Sequence, residues 1–214
     1  MQQQLKALSK VLEGDLFFDK MMKTLYATDA SSYREMPLAV AIPKTKEDIS
    51  LLIQFATDHR SSLIPRTAGT SLAGQVVGNG IIVDVSKHFN QILELNTAES
   101  WVRVQPGVIR DELNLFLKPH GLFFGPETST ANRAMMGGMV GNNSCGSNSV
   151  VYRSTREHLL EVTAFLTDGS EVVFNSKSTE DFHAKCALNS LEGNIYKSVR
   201  SILSNYDNQV EIRK

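Results

Sequence analysis

Apolar positions along this chain switch repeatedly between helical spacing and strict alternation, and each switch marks an element. Leu5, Leu8, Val11 and Leu12 share one helical face, and Phe17, Phe18, Met21 and Met22 follow. Residues 1–34 therefore read as a helical, partly polar segment. Residues 37–42 (PLAVAI) read as a short buried strand stopped by Pro43. A helix then starts at Thr45. Asp48, three positions on, completes a capping box with Asp in place of the usual Glu, and Glu47 and Asp48 suit the positive helix end. Ile49, Leu52, Ile53 and Ala56 give that helix its core-facing stripe. Leu63 and Ile64 begin the next strand, so strand–helix–strand predicts a right-handed parallel unit.

Beyond residue 80 the period changes. Residues 80–85 (GIIVDV) form an apolar strand. Leu93, Leu95, Val102 and Val104 then alternate with Ile92, Glu94, Trp101, Arg103 and Gln105, which predicts two half-buried antiparallel strands joined across residues 96–100. Pro106 and Gly107 break the second strand. Ile109, Leu113, Phe116 and Leu117 mark a helix that stops near Pro119 and Gly121, with His120 suited to its negative end. Residues 160–166 and 171–174 flank Asp168-Gly169, a hairpin turn signal. Ile195, Val199 and Ile202 give the tail, residues 194–214, a helical spacing. The whole predicts an α+β fold: a small parallel α/β unit before about residue 90, then a larger unit with an antiparallel sheet and flanking helices.

Composition narrows the partners. A chain of 214 residues can bury a real core, and its net charge of -1 provides no field for nucleic acid or an anionic membrane. Any anion must therefore be held locally. Cys145 and Cys186 are too few and too distant in sequence for a disulfide framework or a zinc cluster, which favours a reducing, cytoplasmic setting. The five histidines show no metal spacing, so no metal is expected. The N-terminus carries no secretory pattern, and no apolar run approaches membrane-spanning length. Any membrane association is expected to run through a partner.

Two stretches fit neither helix nor strand. Residues 65–74 (PRTAGTSLAG) follow the Leu63-Ile64 strand, and residues 125–159 combine glycine, asparagine and small hydroxyl residues. Glycine lets backbone adopt φ > 0 or lie against a ligand, and short hydroxyl and amide side chains add hydrogen bonds without bulk. Two such loops in one chain point to a large, polar, phosphate-bearing ligand. A Walker loop is excluded: Gly69 and Gly74 have its spacing, but Gln75 and Val76 stand where it needs Lys and Ser or Thr. The Rossmann pattern G-x-G-x-x-G is absent, and Gly137, Gly138 and Gly141 form only G-G-x-x-G. There remains a nest of backbone N–H groups in the residue 66–72 loop, suited to a pyrophosphate. Charge-assisted bonds of that kind contribute roughly 1.5–3 kcal/mol each, so a few can anchor a dinucleotide without lysine.

PRTAGTSLAG, the VQPGV turn, HGLFFGPETST and GGMVGNNSCGSNSVVY occur in this order. Together they resemble the FAD-binding domain of the vanillyl-alcohol oxidase and p-cresol methylhydroxylase (PCMH-type) superfamily. Within it the resemblance is to the branch of D-lactate, glycolate and D-2-hydroxyacid dehydrogenases. It covers about residues 25–200 and implies extended FAD between two subdomains, residues 35–90 and 91–214, after an N-terminal helical segment, residues 1–34. Arg66, Ala68, Gly69, Thr70, Ser71 and Leu72 would hold the pyrophosphate. Pro126, Glu127, Thr128, Ser129, Gly137, Gly138, Asn142, Asn143 and Cys145 would line the flavin and ribityl chain. Ser147, Tyr152 and Val162 would lie on the adenine side.

The resemblance also implies the activity: oxidation of a small 2-hydroxy acid with hydride transfer to FAD, and electrons passed to an iron–sulfur or quinone acceptor. Catalytic histidines and substrate-binding arginines would belong to a C-terminal substrate domain absent from this chain, so no residue here is expected to be catalytic. Without that domain the flavin face would be bared, weakening FAD affinity and favouring dimerisation. Two departures stand out. Some relatives attach FAD through a histidine where this chain has Thr70, which implies non-covalent binding here. Relatives often read Tyr-Gly at Tyr152-Arg153, where arginine would strain a φ > 0 turn. Other readings stay open: a FAD-dependent oxidase of sugar lactones or aryl alcohols, or a module that keeps the fold without the cofactor. Cys145 reads as a small packed residue rather than a redox thiol.

Overall fold

The two runs buried along their whole length, β2 (Ala39–Ile42) and β4 (Ile81–Asp84), lie at the centre of a four-stranded sheet. The structure is a computed structural model and describes residues 1–213. The edges are β1 (Asp15–Phe17) and β3 (Leu63–Arg66), in the order β1-β2-β4-β3. Both β2 and β3 run parallel to β4, with Ile81 opposite Ala39 and Leu63. The parallel unit predicted from strand–helix–strand is present, with β4 inserted between its two strands. β4, with parallel neighbours on both sides, is a nearly continuous apolar run (IIVD), and β2, paired along both edges, is another (AVAI).

Residues 1–34 depart from the all-helical expectation. They form α1 (Gln2–Leu8), β1, and α2 (Lys20–Leu25). Asp15, Leu16 and Phe17 pair antiparallel with Ile42, Ala41 and Val40, because the outer edge of β2 would otherwise leave its backbone groups unpaired. Leu5 and Leu8 are buried as the spacing predicts, whereas Val11 lies beyond the helix and is exposed. They join Ala39, Ala41, Leu52, Phe55, Ile81 and Val83 in the first apolar core.

The helix α3 (Lys46–Asp58) carries the predicted capping box: the Thr45 hydroxyl accepts from the Asp48 N–H, and Asp48 accepts in return from the Thr45 N–H. Asp48 does more than cap. Its buried carboxylate also accepts from the N–H groups of Glu13 at 2.8 Å, Gly14 at 3.0 Å and Lys44 at 2.8 Å. Burial opposes its charge, but these donors outweigh that and hold the carboxyl below the usual carboxylate range. One side chain thus ties the chain before β1 to the start of α3.

A second apolar core is built from Val108, Leu113, Leu117, Ala134, Met136 and Met139, with Ile92, Leu95, Val102 and Val104 packed against it. The predicted pair β5 (Ile92–Asn96) and β6 (Trp101–Val104) is antiparallel, but an irregularity between Ile92 and Glu94 turns Leu93 outward and Ile92 inward. That reverses the alternation expected there, as a bulge does by adding one unpaired residue. The helix α4 (Arg110–Leu117) ends in a 3-10 turn, Lys118–His120, closed by Gly121 at φ 69°. After it come two short helices, α5 (Met136–Gly141) and α6 (Ser149–Tyr152).

Residues from Leu160 onward form a compact unit distinct from Met1–Leu159. Its hairpin is β7 (Glu161–Phe165) and β8 (Glu171–Asn175), paired with Glu161 opposite Asn175 and turned by Gly169 at φ 83°. The helix α7 (Thr179–Ala187), capped by Ser178, has no counterpart in the sequence reading. The tail helix starts at Leu191, not Asn194, as α8 (Leu191–Ser204), because Ser190 caps it by accepting from the Gly193 N–H. It is followed by α9 (Tyr206–Arg213), and Lys214, the end of the expected tail, lies outside the described residues. Apart from the β1–β2 pairing, the antiparallel strands thus form two separate hairpins. No helix among the described residues is long and apolar enough to cross a membrane.

Candidate functional site

The first glycine loop leaves the C-terminal end of β3, the end of a parallel sheet where ligands commonly bind. Gly69 at φ 66° and Gly74 at φ 72° turn it, and both are conformations that side chains disfavour. Ser71 braces the turn: its hydroxyl accepts from the N–H groups of Ala73 at 3.3 Å and Gln75 at 3.2 Å. Among the described residues, no main-chain N–H from Thr67 to Leu72 donates to a protein acceptor. The loop is half-buried except for Leu72 and Ala73, which are exposed. A half-buried run of unpartnered amides is the donor set that a pyrophosphate requires.

The second glycine region meets this loop. A Cβ placed on Gly138 would lie 2.6 Å from the Thr67 hydroxyl, and Gln75 donates to the Asn142 side-chain oxygen at 2.8 Å. Gly137, at the start of α5, lies against Pro106 of the VQPGV turn and donates to its carbonyl at 2.8 Å. The segment containing Pro126 to Ser129 is pinned from α4. Arg110 donates to the carbonyls of Pro126 at 3.1 Å and Phe124 at 3.3 Å, and Asn114 both donates to and accepts from Phe124. Glu127 in turn accepts from the Asn148 side chain, and Gly146 lies directly on the Glu127 carbonyl. Gly125 packs under the Tyr152 ring.

The expected site residues therefore divide. Gly138 and Asn142 meet the first loop through Thr67 and Gln75, which flank Ala68 to Leu72, and Glu127 lies at a second junction with Gly146 and Asn148, neither of which was expected. Ser129, Cys145 and Ser147 are exposed, and Thr128 is half-buried beside Thr130. Asn143 is committed structurally: at φ 46°, its side-chain oxygen accepts from the Ser154 hydroxyl and the Arg156 N–H, each at 2.9 Å. Ser154 and Arg156 also hold the Glu157 carboxyl down at about 2. Tyr152 meets Phe123 edge-on. Val162 lies in β7, in the unit that begins at Leu160.

Sequence reasoning missed Tyr26, Asp84, Gln75 and Arg110. Asp84 had a signal: an acid closing an otherwise apolar strand (IIVD) must find buried partners. The others act over long sequence separations and leave no local trace.

Arg153 sits at φ 59° and ψ -152°, a region that is essentially glycine-only, and its side chain is exposed. The strain expected at this position is present. Arg153→Gly is expected to stabilise the chain by about 1 kcal/mol, the relieved strain less the entropy glycine loses on folding. A urea midpoint that stays level or falls would sink this.

With this geometry in place, comparison with known proteins is direct. A family model described as FAD binding domain matches residues 37–175. The chain is 47% identical over 160 residues to a D-2-hydroxyglutarate dehydrogenase of Haemophilus influenzae, covering 73% of this chain and 16% of that protein. It is 32% identical over 161 residues to glycolate oxidase subunit GlcD of Bacillus subtilis, covering 74% of this chain and 34% of that protein. The chain thus spans well under half the length of either relative. Among solved structures, p-cresol methylhydroxylase superposes with a TM-score of 0.69 at 13% identity, covering 80% of this chain and 35% of that one, which shows a shared fold.

Proposed function

The chain belongs to the FAD binding domain family, and from that premise we propose that it is the cofactor-holding part of a flavin-dependent dehydrogenase acting on a small 2-hydroxy acid. The observation that carries this reading is the run of unpartnered amides from Thr67 to Leu72, half-buried as far as Ser71 and set against Gly138 and Asn142. The substrate class is supported by two of the relatives, a D-2-hydroxyglutarate dehydrogenase and a glycolate oxidase subunit.

In this proposal Ala68, Gly69, Thr70, Ser71 and Leu72 offer main-chain donors to the pyrophosphate, while Arg66 stands at the base of their loop. Residues 126–129, Gly137, Gly138, Asn142, Asn143 and Cys145 border the flavin and ribityl chain, and Ser147 and Tyr152 the adenine side. Bound flavin supplies a two-electron acceptor for the hydride of an oxidised alcohol, chemistry that no side chain provides. The chain's own contribution is to fix and orient that group: Arg110 and Asn114 hold the residue 124–126 backbone rigid, and Asn148 restrains Glu127. Thr70 has no imidazole to form a covalent link, so the cofactor is held non-covalently.

The two apolar cores, drawn from residues 5–85 and 92–139, support a division of the cofactor-binding fold near residue 90. A substrate domain carrying the catalytic groups, an iron–sulfur or quinone electron acceptor and a cytoplasmic location complete the proposal. The free thiols Cys145 and Cys186 are compatible with such a reducing setting.

A visible absorption spectrum of the chain after incubation with FAD and filtration tests the reading. The expected result is a retained flavin band whose colour passes to the supernatant on acid denaturation. Colour that stays with the precipitate would overturn the non-covalent assignment, and no retention at any FAD concentration would overturn binding by this chain.

A further inference from the structure

Arg66 was expected to touch the pyrophosphate, but its guanidinium is turned to other work. Its Nη1 donates to the Thr28 carbonyl at 2.9 Å and reaches the Tyr26 carbonyl at 3.5 Å. The guanidinium carbon stands 5.1 Å from the centre of the Tyr26 ring. On another side it lies against Gly69: a Cβ there would meet Nη2 at 2.5 Å and the guanidinium carbon and Nε at 2.9 Å. Tyr26 is itself fixed, since its hydroxyl donates to the buried Asp84 carboxylate at 2.7 Å. Asp84 is the register partner of Arg66 on the neighbouring strand and also accepts from the Ser86 N–H at 2.8 Å. Burial and the bond to Asp84 push the Tyr26 phenol well up, so it remains a donor throughout the physiological range.

From this arrangement we propose that Arg66, Tyr26 and Asp84 are positioning residues that form a strut beneath Gly69. The strut holds the Thr67–Leu72 amides in their anion-binding shape before any ligand arrives. The planar guanidinium is needed for its shape: it spans two carbonyls, a ring and a glycine backbone together, which an ammonium on a flexible stem does not. Gly69 is glycine for two reasons, its φ of 66° and the guanidinium occupying the space of a side chain. The segment after α2 thereby becomes part of the ligand site through Arg66. A preformed loop avoids the ordering cost that a mobile one incurs on binding.

The test compares the chain with its Arg66→Lys and Tyr26→Phe variants in two measurements. The first needs no cofactor: amide order parameters of residues 67–72 by NMR relaxation. The wild-type loop should match the sheet at about 0.85, and Arg66→Lys should fall below about 0.6, the range of flexible backbone. Tyr26→Phe keeps the ring and loses only the Asp84 bond, so it should fall between the two and serves if the lysine variant does not fold. The second measurement, which rests on the flavin reading, is FAD affinity by fluorescence titration, with Arg66→Lys expected to raise Kd at least tenfold. A variant loop as ordered as wild type, or a wild-type loop already mobile, overturns the strut. An unchanged Kd for Arg66→Lys overturns it too, because a point charge would then suffice. If no form binds FAD, the flavin reading fails and the order parameters alone decide the strut.

Discussion

Asp48→Ala is expected to destabilise the chain by about 4 kcal/mol at neutral pH, because four main-chain donors lose their acceptor in a buried setting. That is a large share of the roughly 5–15 kcal/mol by which domains are stable. The sign of the pH dependence follows from the depressed carboxyl. A group whose folded pKa lies below its unfolded value, about 3.9 for Asp, contributes fully above that value. The contribution is lost as pH falls through the folded pKa. The gap between wild type and variant should therefore be widest at pH 7 and shrink in acid. Urea denaturation at pH 7 and pH 3 measures it. A gap under about 0.5 kcal/mol at pH 7 would remove Asp48 from its structural role, and a gap that does not narrow in acid would remove its charge.

Gly146→Ala should act on the site itself. Its new Cβ would lie 2.2 Å from the Glu127 carbonyl oxygen and 2.8 Å from its carbon. Both atoms are main chain, so no rotamer change relieves the contact, and the residue 126–129 segment or the turn at 144–147 must move. Arg110 and Asn114 anchor the first of these from α4, so the displacement should fall on the second, next to Asn142 and Asn143. Overpacking of this kind costs about 1–3 kcal/mol, and the displaced backbone should weaken FAD binding at least tenfold. Gly141→Ala is the matched control: it lies in the same region, with nothing within 4 Å of its added Cβ. Equal FAD affinity for Gly146→Ala and wild type by fluorescence titration would mean that the Glu127–Gly146 junction has no part in the site.

Much of the fold was legible because its determinants are local. The Thr45–Asp48 box is two side chains three residues apart, and it caps α3 as read. β2 and β4 announce themselves as unbroken apolar runs, and Asp168-Gly169 turns β7 into β8 through a φ that glycine permits. The two glycine-rich loops were likewise visible as stretches that suit neither period, together with their likeness to PCMH-type proteins.

Other features depend on partners far away in sequence. Residues 15–17 become a strand only because β2 offers an open edge, and β4 enters between β2 and β3 only when the sheet assembles. The bulge that reverses Leu93 answers to the core against which β5 packs. Arg66 could be placed in the first loop from its motif, yet its direction is decided by Tyr26, forty residues earlier, and by Asp84 on the adjoining strand. Caps, turns and apolar periods cost or gain free energy within a few residues, so the sequence by itself determined where the elements and loops lie. Which loop amides are left free, and which side chains hold them, is settled by hydrogen bonds between distant segments, and only the tertiary structure could decide it.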